Sequence, residues 1–288
     1  MQVLVGLNNK DFSDYLNYTN SFIIGLKDFS INYLLCSIDE IKEIKKKYPN
    51  INLFVSINAN IFNKDLKILE DRLKELDKIN ITGLFFYDLA LLEIKNKLNL
   101  KIPFVWAQEH MTTNYNTCNY FYDKGCEYVY LSSEITEEEI KEIKEKTKIK
   151  IISFFFGYPD VSFSKRKLLT NYFLYHKINK DKELYTITSD DEKYLIQEND
   201  LGTRITHGKV LNGIIPFSRL SSIASYGILN EENIPHQDFL KVLKIFNDVN
   251  KGLLDSEKAF SMIKELFSDS DDGFFYKKTI YKVKEWER

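Results

Sequence analysis

Hydrophobic positions in this chain fall into short clusters separated by charged stretches, and the two kinds of segment alternate regularly. Apolar, β-branched and aromatic runs occupy residues 3–7, 21–26, 52–58, 83–87, 102–106, 128–132 and 149–156. Each has the length and composition of a strand. Residues 38–48, 65–79, 90–98 and 137–146 instead carry apolar side chains at helical spacing among Lys and Glu. The segment from Ser133 to Glu139 opens the last of these well, with acids in the first turn facing the helix dipole. Such alternation demands parallel strands joined by crossover helices. An open doubly wound sheet would also satisfy it, but seven units accumulate and no Gly-rich nucleotide loop follows the first strand. The pattern therefore predicts an α/β fold, a (β/α)8 TIM-like parallel barrel.

From about residue 179 the pattern changes. Residues 183–188, 194–198 and 203–207 read as short antiparallel strands, with Asn199, Asp200, Leu201 and Gly202 as a turn. An embedded antiparallel hairpin is thus expected after strand 7, as an insertion over 179–212. Residues 222–229 are expected to form the last barrel strand, followed by helices at 237–250 and 255–267 and a tail, so that 237–288 holds the C-terminal helices. No stretch reads as a flexible linker, and residues 1–288 read as one domain.

Composition narrows the partners. The chain has 288 residues and a formal net charge of −2, with a pI near 6.2. A broad nucleic-acid-binding face usually needs a basic balance, so any RNA contact must be a local patch. The N-terminus runs straight into an apolar strand without a basic leader, and no apolar run approaches the roughly 20 residues that span a bilayer. Cys36, Cys118 and Cys126 are odd in number and lack CxxC spacing. Reduced thiols in a cytoplasmic protein are the expectation. His110, His176, His207 and His236 lie far apart without HExxH or HxH spacing, so no metal site is expected.

In a barrel the chemistry gathers where strands end. Reading off those ends gives Asn58, Tyr87 and Asp88, Glu109 and His110, Ser132 and Ser133, and Gly157. Asn58, Glu109 and His110 are the catalytic candidates, with a general acid–base role for one of the last two. If the strand continues through them, however, Glu109 and His110 point to opposite faces. The plainer account of all these positions is that strand ends are polar because they leave the core. Cys118, near His110, reads as a small core thiol. The most distinctive stretch follows Gly157, where Lys165, Arg166 and Lys167 lead into Tyr172, Phe173, Tyr175 and His176. Cations interleaved with aromatics suit phosphates and stacked bases. One competing account is a solvated basic turn before a helix; another has Arg166 folded inward onto an acid such as Glu198 or Asp200, bracing the loop.

This stretch resembles the signature of the U32 family, the collagenase-like peptidases, whose relatives include proteins needed for hydroxylation of tRNA, rRNA and ubiquinone. Gly157, Val161, Ser162, Ser164, Arg166, Leu168, Leu169, Asn171 and Tyr172 stand in the expected places. Residues 55–62 with Asn58, 113–120 (T-N-Y-N-T-C-N-Y) and 198–203 (E-N-D-L-G-T) agree too, and the ending at 273–279 is similar to a short branch linked to wobble-uridine 5-hydroxylation. The resemblance implies a tRNA substrate, a small metabolite in the barrel pocket, and Asn114, Asn116, Lys165, Arg166, Asn171 and Tyr172 as binding residues. The chain also departs from the family. Cluster-bearing members place cysteines where this chain has Asp160 and Lys167, and a later one at Asn212. The acid- and glycine-containing motif after the last strand is blurred near Leu229, Asn230 and Glu231. Lysine is no ligand for a [4Fe–4S] cluster, and three scattered cysteines do not make four thiolates. The resemblance therefore implies no cofactor held by this chain. Either this is a cluster-free modification enzyme, or it is a subunit that leaves chemistry to a U32 paralogue. The remaining alternatives are a peptidase, as the family's title asserts, and a non-catalytic scaffold.

Overall fold

Every apolar run read as a strand forms one, and the charged stretches between them form helices. The computed structural model describes residues 1–189 and 191–277. In chain order its first elements are β1 (Gln2–Gly6), β2 (Ser21–Leu26), β3 (Leu35–Cys36), α1 (Ile38–Lys47), β4 (Asn52–Ile57), α2 (Leu66–Leu76) and β5 (Gly83–Phe86). Then come α3 (Ala90–Leu98), β6 (Phe104–Trp106), α4 (Tyr115–Asp123), β7 (Tyr128–Tyr130), α5 (Glu137–Lys146) and β8 (Lys150–Gly157). The inserted region follows as β9 (Asp160–Ser164), α6 (Leu168–His176), β10 (Leu184–Ser189), β11 (Glu192–Asn199) and β12 (Gly202–His207). The described chain closes with β13 (Leu211–Asn212), α7 (Ile214–Arg219), β14 (Tyr226–Asn230), α8 (His236–Asn250) and α9 (Ser256–Leu266).

Eight parallel strands close a barrel. β1 pairs with both β2 and β14, and the ring continues through β4, β5, β6, β7 and β8 back to β14. Strands covered on both faces should be apolar throughout, and all six residues of β2 are buried. Aromatic rings fill the lumen. Phe54 of β4 meets Tyr226 of β14 edge-on, 5.0 Å between centroids, although the two strands are not neighbours. Outside the ring, α1 and α5 both begin with complete capping boxes, Ser37 with Glu40 and Thr136 with Glu139.

The insertion is larger than a hairpin. β10, β11 and β12 form the expected antiparallel meander, and β9 joins it to make a four-stranded sheet in the order β10-β11-β12-β9. Asp200 and Leu201 are the two-residue turn, with Asn199 paired to Gly202. The last barrel strand begins at Tyr226, not at 222. Ile223 and Ala224 donate their N–H groups back to Leu220 and so belong to the turn that ends α7. The expected helices at 237–250 and 255–267 are α8 and α9, and residues beyond 277, including the end of the 273–279 motif, lie outside the described residues.

Candidate functional site

The strand ends converge on a cavity of about 230 Å³ at the C-terminal mouth of the barrel. Asn58 follows β4, Tyr87 follows β5, and Gln108 and His110 follow β6. β9 crosses above them and supplies Asp160 and Ser162 to the opposite wall. The volume is below the usual range for drug-sized ligands, and its lining mixes amide, imidazole and hydroxyl groups with the apolar Ile31, Val161 and Phe163 and the Asp160 carboxylate. It offers directional hydrogen bonds to a ring-sized polar molecule.

Asn58 is buried and its amide is engaged. Oδ1 accepts from Ser30 Oγ at 3.0 Å and from the N–H of Ile31 at 2.8 Å, while Nδ2 donates to Asn32 Oδ1 at 2.7 Å. It braces the loop that carries Ile31 to the cavity. β6 stops at Trp106, and Glu109 and His110 sit in a 3-10 turn, Glu109–Met111, so strand alternation does not govern them. His110 lines the cavity with an exposed ring; the side chain of Glu109 lies outside the described residues. Asn114 caps α4, its Oδ1 accepting from the N–H of Thr117 at 3.0 Å, and Asn116 is exposed on the first turn of that helix. Neither lines the mouth.

A second cavity of about 430 Å³ lies beyond Ile31 and Phe163, which line both. Its lining holds a buried guanidinium. Arg204 on β12 is 4% exposed and pairs with Asp160 of β9 and with Glu232 just past β14. Burial alone would lower its pKa, but the two carboxylates outweigh that and raise it, so the guanidinium stays charged. Glu232 also accepts from Gln197 Nε2 at 2.6 Å. This network fastens the inserted sheet to the barrel rim.

The three-cation loop is divided among different partners. Lys165 Nζ donates to the carbonyl of Asn60 at 2.9 Å and lies 3.7 Å over the ring of Phe62. Lys167 pairs with Asp200 at 3.1 Å. Arg166 is exposed and forms no ion pair among the described residues. It does not fold onto Glu198 or Asp200. Glu198 instead caps α6: its carboxylate accepts from the N–H groups of Leu169 and Thr170 and from the hydroxyls of Thr170 and Thr203. Burial pushes this carboxyl up, but the hydrogen bonds from Thr170 and Thr203 prevail and hold it below its ordinary value. Asn171 and Tyr172 are exposed on α6 and do not line the mouth cavity.

A thiolate-held cluster does not fit these side chains. Cys36, Cys118 and Cys126 are all buried, and burial pushes their thiols up to about 11, 12 and 12. They stand on β3, on α4 and just before β7. Asp160 and Lys167 are ion-paired, and Asn212 Nδ2 donates to the carbonyl of Phe260 at 3.3 Å. Among the described residues no three His, Cys, Asp or Glu side chains converge as metal ligands would.

One polar cluster escaped the sequence reading. Past β14, the buried Glu231 accepts from Tyr15 Oη at 2.5 Å and meets His236 Nδ1 at 2.6 Å, while His236 Nε2 lies 3.1 Å from Asp14. An acid after the last strand was its only trace in the sequence. Tyr15 and His236 stand 221 positions apart and only the barrel closure brings them together.

Known proteins resemble this chain as follows. Among the described residues no helix is long and apolar enough to cross a membrane. The chain is 28% identical over 250 residues to tRNA hydroxylation protein P2 of Bacillus subtilis, covering 80% of this chain and 81% of that one. It is also 28% identical over 148 residues to tRNA hydroxylation protein P1 of the same organism, covering 51% of this chain and 35% of P1. The solved structure of the U32 peptidase Mk0906 superposes with a TM-score of 0.51 at 11% identity, over 82% of this chain and 94% of that one. It shares the fold. The profile of peptidase family U32 matches residues 17–210, about two thirds of the sequence, and the chain belongs to that family.

Proposed function

We infer that this protein acts in the cytoplasm in the 5-hydroxylation of wobble uridine in tRNA, as a U32 unit spanning residues 1–288 that holds no cluster. Redox chemistry then falls to a cluster-bearing U32 paralogue acting with it. The observation that carries this reading is the similarity to tRNA hydroxylation protein P2, which extends over four fifths of both chains. The mouth cavity supports it: about 230 Å³ walled by amides, hydroxyls and His110 together with the apolar Ile31, Val161 and Phe163 matches a base or a small metabolite better than an extended peptide. In this reading Asn58 positions the loop that walls the cavity, and His110 exchanges protons with the ligand. Glu109 shares that role by its place after β6, and Lys165 and Arg166 hold RNA phosphates at the rim. Asn114 and Asn116 contact the RNA ahead of α4.

The test is nucleoside mass spectrometry of tRNA from a strain lacking the gene, with complementation by wild type and by His110→Ala. Loss of 5-hydroxyuridine restored by wild type alone supports the reading; unchanged modification in the deletion strain refutes it. One feature favours a peptidase: Ser162, His110 and Asp160 all line the same cavity. Yet Asp160 is held by Arg204, and among the hydrogen bonds of the described residues none joins His110 to Ser162. Peptide hydrolysis by the purified protein that disappears in Ser162→Ala would favour that second reading.

A further inference from the structure

The helix that follows the signature loop is turned outward. Leu169 is buried and Phe173 packs on Tyr185 of β10 at 5.1 Å, so α6 has one seated face. Its other positions carry large exposed side chains: Tyr172 is 55% exposed, Leu174 72% and Tyr175 83%. Tyr172 and Tyr175 both touch His176, at 4.5 and 5.0 Å between centroids, which makes a ring cluster on the solvent side. Exposed rings at this density mark a contact surface rather than scattered surface hydrophobes.

Charge decides the occupant. Residues 163–182 hold six Lys or Arg and one Asp, a net +5 in a chain whose total is −2, with Lys167 paired to Asp200 and Lys180 to Glu198. The N-terminus of α6 is already occupied by the Glu198 carboxylate, so the helix end is no anion site. Phosphate contacts must come from side chains, and Arg166 before the helix and Lys177 after it are exposed without an ion pair among the described residues. They bracket the rings across about 15 Å of helix. Lys165, held to Asn60, ties the same loop to the rim of the mouth cavity.

We propose that the outer face of α6 is a stacking platform for unpaired bases of an RNA loop, with Tyr172 and Tyr175 under the bases and Arg166 and Lys177 on flanking phosphates. This deepens the tRNA reading above and rests on it. A folded protein partner would be matched by the aliphatic Leu174, but neither the +5 segment nor paired rings between free cations is needed for that. Unpaired bases use both, because every base has a face to stack and a phosphate to neutralise.

The experiment is fluorescence anisotropy of the full chain with an unmodified tRNA transcript, its anticodon stem-loop and a blunt RNA duplex, at several salt concentrations. Sedimentation is run in parallel. Tyr172→Ala with Tyr175→Ala should weaken transcript and stem-loop binding by roughly tenfold to a hundredfold and leave the salt slope unchanged. Arg166→Ala with Lys177→Ala should flatten that slope by about two released counterions. All four side chains are exposed, so melting curves should coincide with wild type. Aromatic variants that bind RNA as wild type overturn the platform and leave the tRNA reading intact. Wild type that binds no transcript, in a protein whose deletion still abolishes the modification, also overturns it and places RNA recognition on another subunit. A wild-type dimer that the aromatic substitutions dissociate, with RNA binding unaffected, assigns the face to a second chain.

Discussion

Removing the positive charge of Arg204 should loosen the inserted sheet from the barrel more than any surface change could. Arg204 is 4% exposed, and its partners Asp160 and Glu232 are 22% and 14% exposed. Arg204→Met keeps most of the apolar stem but leaves two carboxylates facing each other across a partly buried gap. Breaking a buried pair from one side typically costs 3–5 kcal/mol. Because both acids keep some water, the low end applies, about 3 kcal/mol. For a chain of this length that is a melting shift of roughly 6–12 °C. The loss should be local at first, since Arg204 joins β12 to β9 and to the segment after β14 while the barrel ladder is untouched. Limited proteolysis should therefore cut within β10–β12 before the barrel melts. Adding Asp160→Asn and Glu232→Gln to Arg204→Met removes the stranded charges and should restore about half of the stability. A single variant within about 1 kcal/mol of wild type, or a triple variant no better than the single one, refutes the assignment of the triad as the fastening.

Three further outcomes follow from particular residues. Gly202→Ala should destabilise the insertion severely, because φ is +146° and the added Cβ would lie 2.2 Å from the carbonyl of Ser164; circular dichroism and proteolysis of 160–207 would report it, and a melting point like that of wild type counts against it. His236 is held above its ordinary pKa, chiefly by its bond to Glu231 and further by Asp14. Its contribution is thus complete below about pH 6.5 and fades as pH rises through the folded value, so the melting point of wild type should fall more between pH 6 and 8.5 than that of His236→Gln. Equal slopes for the two would sink this account. Cys36, Cys118 and Cys126, buried and pushed well above the usual thiol range, should react with a thiol reagent only after unfolding; rapid labelling of the native protein would contradict their burial.

Alternation of apolar runs and charged helices was enough to read the barrel, because each strand is buried on both faces and each helix on one. Where side-chain period no longer decides structure, the sequence was less legible. β9, with a half-buried pattern and no apolar run, was invisible as a strand until β12 paired with it. The 3-10 turn at Glu109–Met111 was hidden for a similar reason: nothing in the sequence marks β6 as only three residues long. Asn58 and His110, both read off strand ends, line the mouth cavity, since topology alone puts strand ends at one mouth. The partners of Arg166, Glu198 and Asp200 were not legible, because which acid takes which cation depends on the approach of β11 to α6.

The signature itself now reads differently. Gly157 has φ +122° at the end of β8, where a Cβ would sit 2.8 Å from the carbonyl of Asn230. Glu198 caps α6, and Thr203 accepts from the N–H of Leu168 at 2.9 Å and bonds the carbonyl of Arg166 at 2.8 Å. These family-like positions seat the inserted sheet and α6 over the barrel mouth; they make the scaffold of a site and say little about its reaction. Two of the positions that the resemblance marked as departures are taken up by ion pairs. At one, Asp160 turns its carboxylate to a buried guanidinium; at another, Lys167 pairs with Asp200 at the surface. Arg204 with Asp160 and Glu232 ties β9 and β12 to the rim of the mouth, and Lys167 with Asp200 ties the loop before α6 to the turn between β11 and β12. Next to these pairs lie the mouth cavity, walled by amides, hydroxyls, His110, apolar side chains and the Asp160 carboxylate, and α6, whose exposed face is aromatic and which Arg166 and Lys177 flank.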